Sequence, residues 1–104
     1  MVEVVRSAIF ERWLRKLKDR HAVARILVRV ERLVAGNPGD VKPFGGGVSE
    51  LRIRYGPGYR VYFLQEDDQL ILLLAGGDKS TQSADITTAH SVADTWKQAQ
   101  GGSR

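Results

Sequence analysis

The chain has 104 residues, no cysteine, two histidines, and 16 Lys and Arg against 12 Asp and Glu, a formal net charge of +4. Its length suits one domain, expected over residues 1–100 with a frayed tail at 101–104. Without cysteine there is no disulfide framework, no thiolate nucleophile and no thiolate-ligated zinc. His21 and His90 alone do not make a metal site.

The opening Met1-Val2-Glu3 lacks the basic segment and apolar core of a secretory leader, so the expected location is cytoplasmic. Val2 to Val5 is short, apolar and β-branched, and reads as a strand. Ser7 can cap the helix that follows. Phe10, Trp13, Leu14 and Leu17 recur at helical spacing between charged residues, which predicts an amphipathic helix over about 8–18. Asp19 offers a turn and a second cap. Val23, Ile26, Leu27, Val30, Leu33 and Val34 carry a second helix to about residue 35. Gly36-Asn37-Pro38-Gly39 stops it.

Residues 36–47 hold five glycines and two prolines and read as a loop. From Val48 to Tyr55, Leu51 and Ile53 alternate with Arg52 and Arg54, the period of a half-buried strand. Gly56-Pro57-Gly58 turns the chain. Tyr59 to Gln65 forms the partner strand, with Arg60 and Tyr62 on one face and Val61 and Phe63 on the other. After a turn at Glu66-Asp67-Asp68, Leu70 to Ala75 is uniformly apolar, as a central strand covered on both faces would be. It is the longest apolar run and far short of the roughly 18 residues of a membrane span. Gly76-Gly77 is expected to break it. A last helix over about 83–98 carries Ile86, Ala89, Ala93 and Trp96 as its apolar stripe, with Asp85 in its first turn. The expected fold is α+β: an N-terminal helical hairpin and a C-terminal helix on a small, largely antiparallel sheet, mostly a meander.

Charge is unevenly spread: +5 over residues 1–35, +2 over 36–64 and −3 over 65–104. The positive first two thirds suits a polyanion such as RNA, and equally the solvent side of ordinary helices. The passage from Leu72 to Thr81 superficially suggests a phosphate-binding loop. That pattern requires glycine where Leu73 and Asp78 stand, so nucleotide triphosphate binding is excluded. His21 lies in the inter-helix turn and His90 on the last helix, neither with a second ligand at metal spacing. The remaining chemistry gathers in Arg52, Arg54, Arg60, Tyr62 and Lys79. The first four lie on neighbouring strands, and Lys79 follows the central strand. Cross-strand neighbours are about 5 Å apart, so these groups can converge on one phosphodiester. The alternative is a solvated outer sheet face, which commonly carries Arg and Tyr.

The run from Glu50 to Phe63 (ELRIRYGPGYRVYF), the segment from Leu70 to Ile86 and the closing helix near Trp96 together resemble the RelE/ParE superfamily of toxins. Within it they are similar to the HigB-like, phage Gp49-like addiction module killer proteins. Phe10 to Ile26 and Gly36 to Ile53 are similar to the same branch, so the resemblance spans about residues 3–97. It implies a RelE-like fold and the toxin of a bacterial type II toxin–antitoxin module. The implied activity is ribosome-dependent cleavage of mRNA, without metal or cofactor, by attack of a 2′-hydroxyl on the adjacent phosphate. Arg60 matches the family's Gly-Tyr-Arg turn, and Lys79 the basic residue after the last strand. Arg52 and Arg54 match an RNA-binding basic pair, and Tyr62 is placed to stack or donate. Asp85 stands where RelE carries a C-terminal tyrosine, which leaves Asp85, His90 and Tyr62 as candidate general bases. Asp85 is alternatively a helix-capping carboxylate. The implied partners are a helix-turn-helix antitoxin, mRNA on the ribosome, and operator DNA through the toxin–antitoxin complex only. Two rival activities remain: gyrase inhibition like ParE, or a non-toxic remnant that retains antitoxin binding.

Overall fold

The computed structural model describes residues 2–101. Strand β1 (Glu3–Arg6) leads into helices α1 (Ala8–Lys16) and α2 (Arg20–Val34). Strands β2 (Val41–Pro43), β3 (Val48–Ile53), β4 (Tyr59–Glu66) and β5 (Leu70–Gly77) follow, then a 3₁₀ turn (Lys79–Thr81) and helix α3 (Gln82–Gly101). The sheet order is β1-β5-β4-β3-β2. β1 runs parallel to β5 and all other pairs are antiparallel.

Each N-terminal helix starts where a side chain satisfies free backbone N–H groups. The Ser7 hydroxyl accepts from Phe10 N at 3.0 Å and donates to the Leu74 carbonyl at 2.7 Å, tying the start of α1 to β5. Asp19 Oδ1 accepts from His21 N and Ala22 N at 3.0 and 3.2 Å. α2 ends as Gly36 adopts φ +87°, a left-handed conformation that glycine takes without strain.

The sheet separates two apolar layers. Phe10, Leu14, Ile26, Val30 and Leu33 from the first two helices pack on Leu51, Ile53, Val61, Phe63, Ile71 and Leu73. On the opposite face Ala89 and Ala93 of α3 pack on Val48, Tyr62, Leu64, Leu72, Leu74 and Ala75. Alternation along β4 and β5 produces this division, with one interruption. Tyr62 pairs with Ala75 but Phe63 pairs with Leu73, so Leu74 is a bulged extra residue. Leu74 and Ala75 therefore both face α3.

Several boundaries differ from expectation. α1 stops at Lys16 because Leu17 is already extended. The glycine-rich stretch contains the edge strand β2, where Val41 and Pro43 pair with Leu51 and Ser49. Proline is tolerated there because an edge strand leaves one row of N–H groups unused. Gly76 and Gly77 do not break β5 but end it in register, paired with Val61 and Arg60. They are glycines because their Cβ positions are already occupied. A Cβ on Gly76 would collide with the Trp13 indole, and one on Gly77 would lie 2.7 Å from Asp85 Cγ and Thr81 Oγ1. Gly101 closes α3, and the rest of the expected frayed tail lies outside the described residues.

Candidate functional site

Strand register builds the site at the end of the sheet where β3 turns into β4. Arg52 stands directly opposite Arg60, and Glu50 opposite Tyr62. All four share the face covered by the start of α3. Glu50 is fully buried. It receives hydrogen bonds from Arg52 Nε at 2.8 Å, the Tyr62 hydroxyl at 2.9 Å and Gln82 Nε2 at 2.9 Å. Arg60 Nε lies 3.4 Å from its Oε2 as an ion pair outside hydrogen-bond geometry. Burial alone would raise the Glu50 pKa. The bonds from Arg52, Gln82 and Tyr62, with the charge of Arg60, outweigh burial and hold it below the ordinary carboxylate value. Glu50 is therefore an ionised, fully engaged anchor for two guanidinium groups.

Arg60 is mostly covered, with its Nη1 donating to the Gly58 carbonyl at 3.0 Å. Lys79 approaches the same turn. A Cβ on Gly58 would stand 3.6 Å from both Arg60 Nη1 and Lys79 Cβ. Lys79 N also donates to the Pro57 carbonyl at 3.4 Å, docking the 3₁₀ turn on the β3–β4 turn. Asp78 caps that turn by accepting from Ser80 N at 2.8 Å and Ser80 Oγ at 2.5 Å. Asp85 reaches back over Gly77, the ladder partner of Arg60, and accepts from Thr81 Oγ1 at 2.5 Å. Burial raises the Asp85 pKa, and the nearby Asp78 charge adds to this against the Thr81 hydrogen bond. Arg60, Lys79 and Asp85 thus border one corner of the sheet, two cations and one carboxylate of raised proton affinity.

Residues 12–96 match the family model described as "Phage derived protein Gp49-like (DUF891)". The chain belongs to this family. An uncharacterized protein of Haemophilus influenzae is 46% identical over 92 residues, covering 88% of this chain and 93% of that protein. The Gp49-like family is toxin-like and related to RelE and HigB, which points to a toxin of a toxin–antitoxin module and to an antitoxin partner. No described helix is long and apolar enough to cross a membrane.

Within this Gp49-like domain the residues singled out from sequence do not all meet. Arg52, Arg60, Tyr62, Lys79 and Asp85 gather at one end of the sheet. Arg54 lies past the end of β3 with its side chain 88% exposed, 3.4 Å from Asp40. Tyr62 is fully buried, so its ring has no free face on which a base could stack. Burial and its bond to Glu50 raise its pKa, which makes it a poor proton acceptor at neutral pH. His90 is at the opposite end of β3. Its Nδ1 lies 3.1 Å from the Ile86 carbonyl and its Nε2 3.2 Å from the Gly45 carbonyl. Glu50 was not anticipated, although a signal existed: it shares strand parity with Arg52, and so was due on the polar face.

Proposed function

We propose that the protein is the toxin of a type II toxin–antitoxin module and cleaves mRNA on the ribosome without metal. The observation that carries this reading is the fixing of Arg52 and Arg60 on one buried carboxylate, beside Lys79 and Asp85. Guanidinium groups held in advance where negative charge develops stabilise a phosphorane without reorganising during the reaction. Arg60 and Lys79 neutralise the phosphate. Asp85, whose pKa is raised, takes the proton of the 2′-hydroxyl as that oxygen attacks phosphorus. The bond from phosphorus to the 5′-oxygen breaks, leaving a 2′,3′-cyclic phosphate and, once the leaving oxygen gains a proton from water, a 5′-hydroxyl. Tyr62 and Gln82 position Glu50, and Glu50 positions the arginines. A helix-turn-helix antitoxin from the same module would suppress the activity, and operator DNA would be bound through that complex.

Inducing the protein alone tests this. Growth should arrest and translated mRNA should carry new 5′-hydroxyl ends. The Arg60→Ala, Lys79→Ala double variant should abolish both effects. Arrest with intact mRNA sinks the nuclease reading, and arrest with DNA breaks and lost supercoiling favours gyrase inhibition. Absence of arrest favours the remnant.

A further inference from the structure

A second arginine cluster lies on the other face of the sheet's end. Arg25, Arg29 and Arg32 recur at spacings of four and three, so they share one face of α2. With Arg52 and Arg54 they rim an open groove of about 480 Å³. Ala24, Ile53 and Val28 supply its apolar surface, and Val28 is 45% exposed. Arg29 is committed to structure, donating from Nη1 to the Arg52 carbonyl and from Nη2 to the Pro38 carbonyl at 2.6 Å. The Arg25 guanidinium sits 4.8 Å from the centroid of the Tyr55 ring. Arg32 is exposed. Asp40 is the lone carboxylate among the lining residues.

This groove is not isolated. A hollow of about 160 Å³ shares Asp40, Arg52, Ile53 and Arg54 with it and continues to Gly58, Tyr59 and Arg60. The two hollows adjoin through these shared residues, so arginine recurs along a path from α2, around the end of β3, to the corner where Arg60 stands, with Asp40 paired to Arg54 between them. We propose that this path holds the RNA strand that continues from the phosphate at Arg60. Phosphates would lie on Arg54, Arg25 and Arg32, and a base over Val28. The assignment rests on the RNA reading above. A flexible phosphodiester can follow the bend around the strand end, whereas a rigid acidic helix cannot. A cationic groove that tracks the backbone is the common element of single-strand binding, here with an aliphatic floor of Ala24, Val28 and Ile53 in place of an aromatic platform.

The probe is a single-stranded 2′-O-methyl RNA of about ten nucleotides, within the span such grooves occupy and lacking the hydroxyl needed for cleavage. Binding to the full chain is followed by fluorescence anisotropy over a salt series. The Arg25→Gln, Arg32→Gln variant should bind it about tenfold more weakly, with the slope of log affinity against log salt smaller by ~1.4 for two lost phosphate contacts. A trinucleotide of the same chemistry should bind both proteins equally. Unchanged affinity and slope for the long probe overturn the proposal, as does no binding by the unaltered chain at low salt. Equal weakening of the trinucleotide overturns it too, since the substitutions would then act through the Arg60 corner. A polyglutamate peptide that binds as well, with the same loss, reassigns the groove to an acidic protein. Because the probe cannot be cut, a failed cleavage assay leaves this result to stand or fall by itself.

Discussion

Arg52 and Arg60 face each other across β3 and β4, and one carboxylate, that of Glu50, holds both. Two like charges directly opposite on a sheet repel. Here the pair persists because a buried anion lies beneath it, itself fixed by Tyr62 and Gln82. Glu50→Ala would leave the two guanidinium groups without their counter-charge and open a cavity. Breaking a buried pair in this way costs about 3 kcal/mol, which should appear as a clear drop in thermal midpoint. Glu50→Gln keeps the shape and should lie between the two. Equal midpoints for all three proteins would contradict the anchoring role.

Arg60→Ala and Lys79→Ala should each lower mRNA cleavage by about 10²-fold or more, the usual effect of removing one preorganised group that stabilises transition-state charge. Both should leave the fold intact, because Lys79 is exposed and Glu50 keeps its bonds from Arg52, Tyr62 and Gln82. Cleavage rates and circular dichroism on the same preparations check both halves.

Asp85 and Glu50 should give opposite pH signatures. Asp85 has a raised folded pKa, so the folded state binds its proton more readily than the unfolded chain. Stability from this group falls as pH rises from the ordinary aspartate value through the raised one. Glu50 has a lowered folded pKa. Its contribution is present above the ordinary glutamate value and is lost as pH falls through the depressed one. Chemical denaturation across pH should therefore show stability rising on mild acidification and then declining. Asp85→Asn should remove the rise and Glu50→Gln should flatten the decline. If Asp85 is the base, activity should also climb with pH through its raised pKa, and Asp85→Asn should lose about 10²-fold.

Gly77→Ala should be more damaging than Gly45→Ala in the cleavage assay. A Cβ at Gly77 meets Asp85 and Thr81, whereas nothing lies within 4 Å of one at Gly45. Relieving the clash at Gly77 must move Asp85, at a cost of about 1–3 kcal/mol. Gly45 has φ +83°, so alanine there is strained but remote from the site. Comparable cleavage rates for the two variants would argue against a reacting group over Gly77.

The C-terminal half of α3 should loosen when its ties to the β2–β3 turn are cut. His90 meets the Gly45 carbonyl and Lys97 Nζ donates to the Gly46 carbonyl at 2.5 Å. His90→Ala with Lys97→Ala should speed amide exchange over residues 90–100 while leaving β3–β5 protected. Unchanged exchange would show that the packing of Ala89 and Ala93 alone holds the helix.

The first two helices were legible because each begins at a capping side chain, Ser7 or Asp19, and keeps a regular apolar stripe. The arginine face was legible because strand parity is periodic. Three things were not. β2 escaped because a three-residue edge strand containing Pro43 carries no period of its own. Gly76 and Gly77 looked like a strand break because their composition is set by Trp13 and Asp85, partners that lie outside the strand. Tyr62 and Glu50 looked like surface residues because only the arrival of α3, with Gln82 at its start, converts a polar face into a buried one.

The unpaired Leu74 fixes more than the curvature of β5. By standing opposite no residue of β4, it inverts the parity of everything after it, so that Gly76 meets Trp13 and Gly77 meets Asp85. Deleting Leu74 would only make the ladder regular, with Leu73 still opposite Phe63 and Ala75 opposite Tyr62, whereas a one-residue deletion between Ala75 and Lys79 would shift the glycines or drag Lys79 one step along the sheet. Length variation among related chains should therefore be absent from the stretch between Ala75 and Lys79 and confined to the bulge position and to segments such as 36–40. Counting residues from the bulge to the lysine then becomes a simple criterion for deciding which relatives can assemble the same corner.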